Sequence, residues 1–95
     1  MIIDMRYRTR TEIATRILEI VNEGSSFGDG GVSKTTIMYK ASLSHAQLQE
    51  YLMILTEGDL IRYDRQTYTF KTTEKGLSLL KTYDQMEQII KEQEI

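Results

Sequence analysis

Residues 35–63 read TTIMYKASLSHAQLQEYLMILTEGDLIRY, and this stretch decides the fold. Two segments with helical apolar spacing are separated only by Ser42-Leu43, which predicts a tight turn between two helices. The second segment starts with Ser44-His-Ala-Gln47, which has the spacing of a capping box. We expect Gly58 to end this helix. Its predicted core face carries Leu48, Tyr51, Leu52 and Leu55.

A β-hairpin is predicted directly after this helix. Residues 60–63 and 68–70 alternate between apolar and polar side chains, as strands do, around a polar turn at Asp64-Arg-Gln66. Upstream, apolar residues recur at helical spacing from Thr9 to Asn22, and Gly24 is expected to stop that helix. The glycine-rich residues 24–31 are interpreted as a flexible connector, because no Gly-Lys-Ser/Thr pattern of a phosphate-binding loop follows.

A fourth helix is predicted from Thr73 onward. Its apolar stripe has spacings of four, three and four residues. This stripe either packs entirely on its own domain or extends beyond it into a second copy, and we favour the second copy because exposed apolar patches mark interfaces. The expected fold is therefore mainly α with a small β-hairpin, with residues 1–72 as one domain and 73–95 as a dimerisation helix. The stripe consists of Leu79, Tyr83, Met86 and Ile90.

Composition narrows the classes of function. The 95 residues include no cysteine and one histidine, so a disulfide framework, a thiolate metal site and a histidine-rich metal site are excluded. No run approaches the ~20 apolar residues of a membrane span, and the N-terminus lacks the order of a signal peptide. We expect a cytoplasmic protein with no cofactor and no metal. No nucleophile–base pair or paired carboxylate site can be assembled, so an enzyme is not expected.

The charge distribution bears on nucleic-acid binding. The net charge is −2, whereas DNA-binding proteins usually carry a basic excess because phosphate neutralisation supplies much of their affinity. Residues 1–71 carry nine basic and nine acidic side chains, and residues 72–95 carry three basic and five acidic ones. The acidic excess therefore belongs to the C-terminal segment, away from the predicted helix pair and hairpin.

The order helix, tight turn, helix and hairpin is that of a winged helix-turn-helix. The run TTIMYKASLS at residues 35–44, together with Gly58-Asp-Leu-Ile61 and Thr73-Glu-Lys-Gly76, resembles the archaeal winged-helix regulators. Within that group the chain is most similar to the small 10a-type DNA-binding proteins, over roughly residues 10–90. The resemblance implies DNA binding through the third helix and the wing. It also implies a homodimer formed by an antiparallel coiled coil of the last helix.

Three surfaces are predicted to contact double-stranded DNA. In a helix-turn-helix, the second helix of the pair enters the major groove, where Gln can pair bidentately with adenine. The wing can reach the backbone or the minor groove. The alternative for each surface is an ordinary solvated face, and His45 in particular suits a plain surface role. The candidates are Lys34, Thr36 and Lys40 on the second helix, Ser44, His45, Gln47 and Gln49 on the third, and Arg62, Arg65 and Gln66 on the wing.

Two features leave the function open at this stage. Glu50 would repel phosphates unless it accepts a hydrogen bond from cytosine or from a basic neighbour. A basic group of Arg6, Arg8, Arg10 and Arg16 forms either a DNA-contacting arm or a lead-in to the first helix. The expected function is a DNA-binding transcriptional regulator or nucleoid-associated protein. The alternative is a winged-helix module for protein–protein interaction without DNA binding, which the net charge of −2 would suit.

Overall fold

The computed structural model describes residues 9–25 and 30–93. Within them, four helices and a small antiparallel sheet confirm the predicted order of helix, helix, helix, hairpin and long helix. The elements are α1 (Arg10–Ser25), β1 (Val32–Ser33), α2 (Lys34–Ala41), α3 (His45–Glu57), β2 (Ile61–Asp64), β3 (Thr69–Thr72) and α4 (Glu74–Gln93).

The turn between α2 and α3 has the tightness that the sequence predicts. Ser42 adopts the left-handed conformation with φ 55°, and its N–H donates to carbonyl groups of the last turn of α2. The capping box is confirmed, because the Ser44 hydroxyl accepts from the Gln47 N–H at 3.2 Å and Gln47 Oε1 accepts from the Ser44 N–H at 3.0 Å. Gly58 caps the other end of α3, also as predicted.

The sheet has one strand more than the predicted hairpin. The strand order is β1-β3-β2, all antiparallel, with Val32 opposite Phe70 and Ile61 opposite Thr72. Gly31 precedes β1 and lies so close to β3 that a Cβ atom there would be 2.5 Å from the Phe70 carbonyl oxygen. A glycine is therefore needed where β1 joins the sheet.

The prediction that Gly24 stops α1 is wrong, because the helix continues to Ser25. Gly24 is a packing residue instead: a Cβ atom there would lie 2.0 Å from Val32 Cγ2. The connector predicted at residues 24–31 is accordingly shorter, since it starts after the helix ends. Residues 26–29 of that connector lie outside the described part of the chain.

One core joins the helices to the sheet. The predicted core face of α3 is buried in full, and burial of each large apolar side chain stabilises the fold by about 1.5–3 kcal/mol. The start of α4 docks on this core through the buried Gly76 and Leu80, while every side chain from Asp84 to Gln93 is exposed. Thr73 caps α4 by accepting the Gly76 N–H at 3.0 Å. The most completely buried side chains are Ile17, Ile20, Val21, Ile37, Leu48 and Ile61.

Candidate nucleic-acid interface

A groove of about 670 Å³ separates α3 from the wing, which we define as β2, β3 and the turn at residues 65–68. Gln49 and Met53 line it from the outward face of α3, and Tyr63 and Tyr68 line it from the wing. Lys34 lies at its edge, at the start of α2. This helix–wing groove shows that the polar face of α3 and one face of the hairpin lie on the same side of the molecule.

The groove brings together two of the predicted DNA-contacting residues. Lys34 Nζ donates a hydrogen bond to Gln49 Oε1, which connects the start of α2 to the outward face of α3. Lys34 is half-buried and Gln49 is exposed. A positive charge and a side-chain amide therefore occupy one spot on this surface, and each can be presented to a nucleic acid.

Three other predicted residues already take part in helix caps. The Thr36 N–H donates to Ser33 Oγ at 3.2 Å, in the cap of α2. Ser44 and Gln47 form the capping box of α3. Bidentate recognition of adenine uses both the oxygen and the nitrogen of the amide, and the bond from the Ser44 N–H already takes one of the two lone pairs of Gln47 Oε1.

The remaining candidates on the helices and at the wing tip are exposed. His45 is the first residue of α3, and Lys40 lies in the last turn of α2. Arg65 and Gln66 form the turn of the wing. Asp64 Oδ1 accepts the Gln66 N–H at 2.8 Å, and this hydrogen bond holds the pKa of the Asp64 carboxyl below its usual value. The tip is thus ordered by its own backbone, with Arg65 left pointing into solvent.

Arg62 lies on the other face of the wing. Successive side chains of a strand point to opposite faces, so Tyr63 faces the groove and Arg62 does not. Arg62 instead lines a second cavity together with Lys71 of β3 and Lys75 at the start of α4. The structure therefore does not bring Arg62 together with Lys34 and Gln49.

The acidic side chain of α3 has a basic neighbour. Arg10 of α1 donates to Glu50 Oε1 at 3.1 Å, and its guanidinium lies 5.4 Å from the centre of the Tyr51 ring. The two charged side chains are 66% and 57% exposed, so this pair adds little to stability. Its effect is on charge, because it neutralises the carboxylate on the face predicted to meet phosphates.

The structure describes only part of the basic group of arginines near the N-terminus. Arg6 and Arg8 lie outside the described residues, so the choice between an arm and a lead-in remains a prediction. In residues 9–25 and 30–93, no group of three or more His, Cys, Asp or Glu side chains is placed to hold a metal ion. Within the same ranges, the helices are too short or too polar to cross a membrane.

Three residues that line the groove are not among the predicted site residues. Met53, Tyr63 and Tyr68 are exposed to 57%, 42% and 73%, and they are clustered in one groove rather than scattered over the surface. The strand alternation that separates Tyr63 from Arg62 could have identified one of them. The other two depend on how the hairpin is placed against α3, which the sequence does not give.

The arrangement of helices and wing agrees with that of a known protein family. A family model described as winged helix-turn-helix matches residues 7–91, which include every described helix and strand except the last two residues of α4. No match to the chain is found among curated proteins. With the tight turn, the outward face of α3 and the wing all inside the matched range, the chain belongs to the winged helix-turn-helix family, whose members are generally DNA-binding.

Proposed function

We propose that this chain binds double-stranded DNA as a homodimer and acts as a transcriptional regulator or as a nucleoid-associated protein of the archaeal 10a type. The observation that carries the proposal is the helix–wing groove, because it shows the polar face of α3 and the wing on one side of the molecule. The family match and the resemblance of residues 35–44 to the 10a-type proteins support it further.

The proposed contacts follow from the exposed positions. The N-terminal part of α3 enters the major groove, where Gln49 and His45 are closest to the base edges. Arg65 and Gln66 at the wing tip reach the backbone or the minor groove. The starts of α2 and α3, which include Lys34, Thr36, Ser44 and Gln47, lie against phosphates, since helix N-termini favour anions. Lys40 adds a phosphate contact, and Arg62 contributes only through its charge.

The proposed dimer uses the apolar stripe of α4. Leu79, Met86 and Ile90 are 48%, 53% and 51% exposed, and Tyr83 is half-buried. Their spacing of four, three and four residues forms a single stripe, which suits the seam of a coiled coil. In this proposal residues 1–72 form the DNA-binding unit, and residues 73–95 pair with a second copy in antiparallel orientation about a two-fold axis.

A titration of duplex DNA at two salt concentrations tests DNA binding. We expect binding at low salt that weakens as salt rises, because phosphate contacts release counterions. Arg65→Ala should weaken binding to all sequences and reduce the salt slope by about one. Lys81→Ala removes the same charge from the exposed side of α4 and serves as the control, which should bind like the wild type.

The same titration distinguishes DNA binding from the alternative function, a module for protein–protein interaction. If no duplex binds at low salt, DNA binding is wrong and the protein-interaction module, which the net charge of −2 favours, takes its place. If DNA binds but Arg65→Ala leaves the affinity and its salt dependence unchanged, the assignment of the wing is wrong while DNA binding stands.

A further inference from the structure

Tyr68 has a backbone conformation that its residue type does not favour. It is the last residue of the turn of the wing, and its φ of 57° lies in the left-handed region. A Cβ atom crowds the backbone in that region, so a bulky side chain there is rare. The other non-glycine residues with positive φ in residues 9–25 and 30–93 are Ser42 and Asp59, which follow the ends of α2 and α3, where this conformation is common.

Packing within the domain does not account for Tyr68. Its side chain is 73% exposed, so it buries little surface in the core. The other tyrosine of the wing differs, because Tyr63 contacts Phe70 with ring centres 4.9 Å apart. A residue that is held in an unfavourable conformation without a matching gain in packing points to a role in function.

The sheet places Tyr68 beside Lys34. The strands β1 and β3 are antiparallel with Ser33 opposite Thr69, so the next positions in this register are Lys34 and Tyr68. Both residues line the helix–wing groove, and we call this part of it the Lys34 end. The helix α2 begins here, and a helix N-terminus favours an anion. A positive charge, a helix N-terminus and a tyrosine hydroxyl therefore meet at one end of the groove.

The carboxylate of the groove lining lies away from the Lys34 end. Glu57 is the last residue of α3, and it follows Gln49 by eight positions, which span about 12 Å of helix. Gln49 is the residue of α3 that accepts a hydrogen bond from Lys34. An anion at the Lys34 end is thus met by hydrogen-bond donors and is separated from the carboxylate of Glu57.

We propose that the Tyr68 hydroxyl donates a hydrogen bond to a phosphate of the DNA strand that crosses the Lys34 end of the helix–wing groove. This inference rests on the proposed function, in which α3 enters the major groove with the wing beside it, so that one strand passes between them. Tyrosine hydroxyls commonly donate to phosphate oxygens. The contact adds affinity without adding positive charge, which suits a chain with a net charge of −2.

Tyr68→Phe removes only the hydroxyl, and a titration of duplex DNA at several salt concentrations measures the effect. The variant should bind about 3- to 10-fold more weakly than the wild type, as expected for one lost hydrogen bond. Its salt slope should equal that of the wild type, because the lost donor carries no charge. Lys34→Gln should instead reduce the slope by about one. Tyr39→Phe removes a hydroxyl from α2 outside the groove, where Tyr39 is 85% exposed, and should bind like the wild type.

Tyr68→Gly tests whether the tyrosine is kept at a cost to stability. Since glycine adopts a positive φ without crowding, this variant should melt about 4 °C higher than the wild type. It should nevertheless bind DNA at least as weakly as Tyr68→Phe. Ser42→Gly makes the same backbone change in the turn between α2 and α3, outside the groove. That control should keep the affinity of the wild type.

The outcomes separate this inference from the proposed function. Wild-type affinity in Tyr68→Phe, or a loss that Tyr39→Phe shows equally, overturns the inference and leaves duplex binding intact. An unchanged or lower melting temperature in Tyr68→Gly also overturns it, because the tyrosine would then serve the fold. Failure of the wild type to bind duplex DNA at low salt overturns both the inference and the proposed function.

Discussion

At the start of α3, the side chains of Ser44 and Gln47 are committed to the backbone. Each accepts a backbone N–H from the other residue, and these N–H groups have no partner inside the helix. A neighbouring side chain, Glu50, is engaged by Arg10. The polar face of α3 is thus partly occupied by its own chain, since Gln49 also accepts a hydrogen bond, from Lys34.

Removal of the cap should be measurable as a loss of stability. Ser44→Ala is expected to lower the free energy of unfolding by about 1 kcal/mol, because it removes the acceptor of the Gln47 N–H. Urea denaturation measures this loss, with Thr56→Ala on the exposed side of α3 as the control. Gln47→Ala should not add its full cost on top of Ser44→Ala, since the two bonds form one motif. Strictly additive costs would contradict that coupling.

Glu19 gives the fold a pH dependence. Burial raises the pKa of its carboxyl, Arg16 opposes this, and the carboxylate of Asp84 on α4 raises the pKa further. The folded protein therefore binds this proton more tightly than the unfolded chain does. Stability contributed by this group is lost as the pH rises from the usual value of 4.5 through the raised pKa.

Glu19→Gln should therefore raise the free energy of unfolding at pH 7 and flatten its decline above pH 4.5. Chemical denaturation at a series of pH values measures both effects. Glu92→Gln, which removes a charge from an exposed position near the end of α4, is the comparison. A Glu19→Gln profile parallel to that of the wild type would show that this carboxyl does not cause the pH dependence.

At the scale of elements, the sequence predicts those features that depend on residues close together in the chain. The capping box, the end of α3 at Gly58 and the core face of α3 all follow from residues within a few positions of one another. The strand β1 does not, because two residues show no alternation and the strand exists only through its pairing with Phe70, far along the chain. The continuation of α1 through Gly24 depends in the same way on packing against Val32.

The candidate site likewise combines features that the local sequence predicts with contacts that it does not predict. Exposure of the predicted polar residues on α3 follows from helical periodicity. The contacts that neutralise Glu50 and engage Gln49 join residues that are far apart in the sequence. Arg10 and Glu50 are 40 positions apart, and Lys34 and Gln49 are 15 apart. Only the fold brings these side chains together.

The joining of β1 to the sheet can be tested with two adjacent glycines. Gly31→Ala should destabilise the protein by about 1–3 kcal/mol, since the new Cβ would collide with the Phe70 carbonyl oxygen and the Thr69 side chain. Gly30→Ala is the matched control, because a Cβ there meets no atom within 4 Å. Thermal unfolding compares the two variants. Equal melting temperatures would mean that β1 does not need the close approach.

On the scale of the whole molecule, the two ends of α4 have different surroundings. Its first turns belong to the core through Gly76 and Leu80, while Met86, Ile89 and Ile90 are exposed farther along. The molecule is accordingly elongated, with extents of 48 × 27 × 23 Å. An apolar stripe on a projecting helix is costly in water unless a partner covers it, which is the basis of the proposed dimer.

The proposed dimer should dissociate when charge is placed on the apolar stripe of α4. Met86→Glu combined with Ile90→Glu is expected to halve the mass measured by sedimentation, because buried carboxylates repel across the two-fold axis. The melting temperature of the wild type should also rise with protein concentration. Gln85→Glu with Gln88→Glu adds the same charge at exposed positions off the stripe and should leave the mass unchanged. A wild-type protein of monomeric mass would contradict the proposed dimer.

Since α4 is one continuous helix of 20 residues, it is about 30 Å long. Its first turn is fixed to the segment before β2, because Thr73 Oγ1 donates to the Asp59 carbonyl at 2.6 Å and Gly76 approaches the Leu60 carbonyl so closely that there is no room for a side chain. In the proposed dimer this helix is a rigid connection between the winged domain at one end and the crossing point of the two copies at the other. A change of about 10° in the crossing angle would displace each wing by about 5 Å at that length. In the proposed dimer, the separation of the two DNA-binding sites is consequently set by side chains of α4 that do not contact DNA.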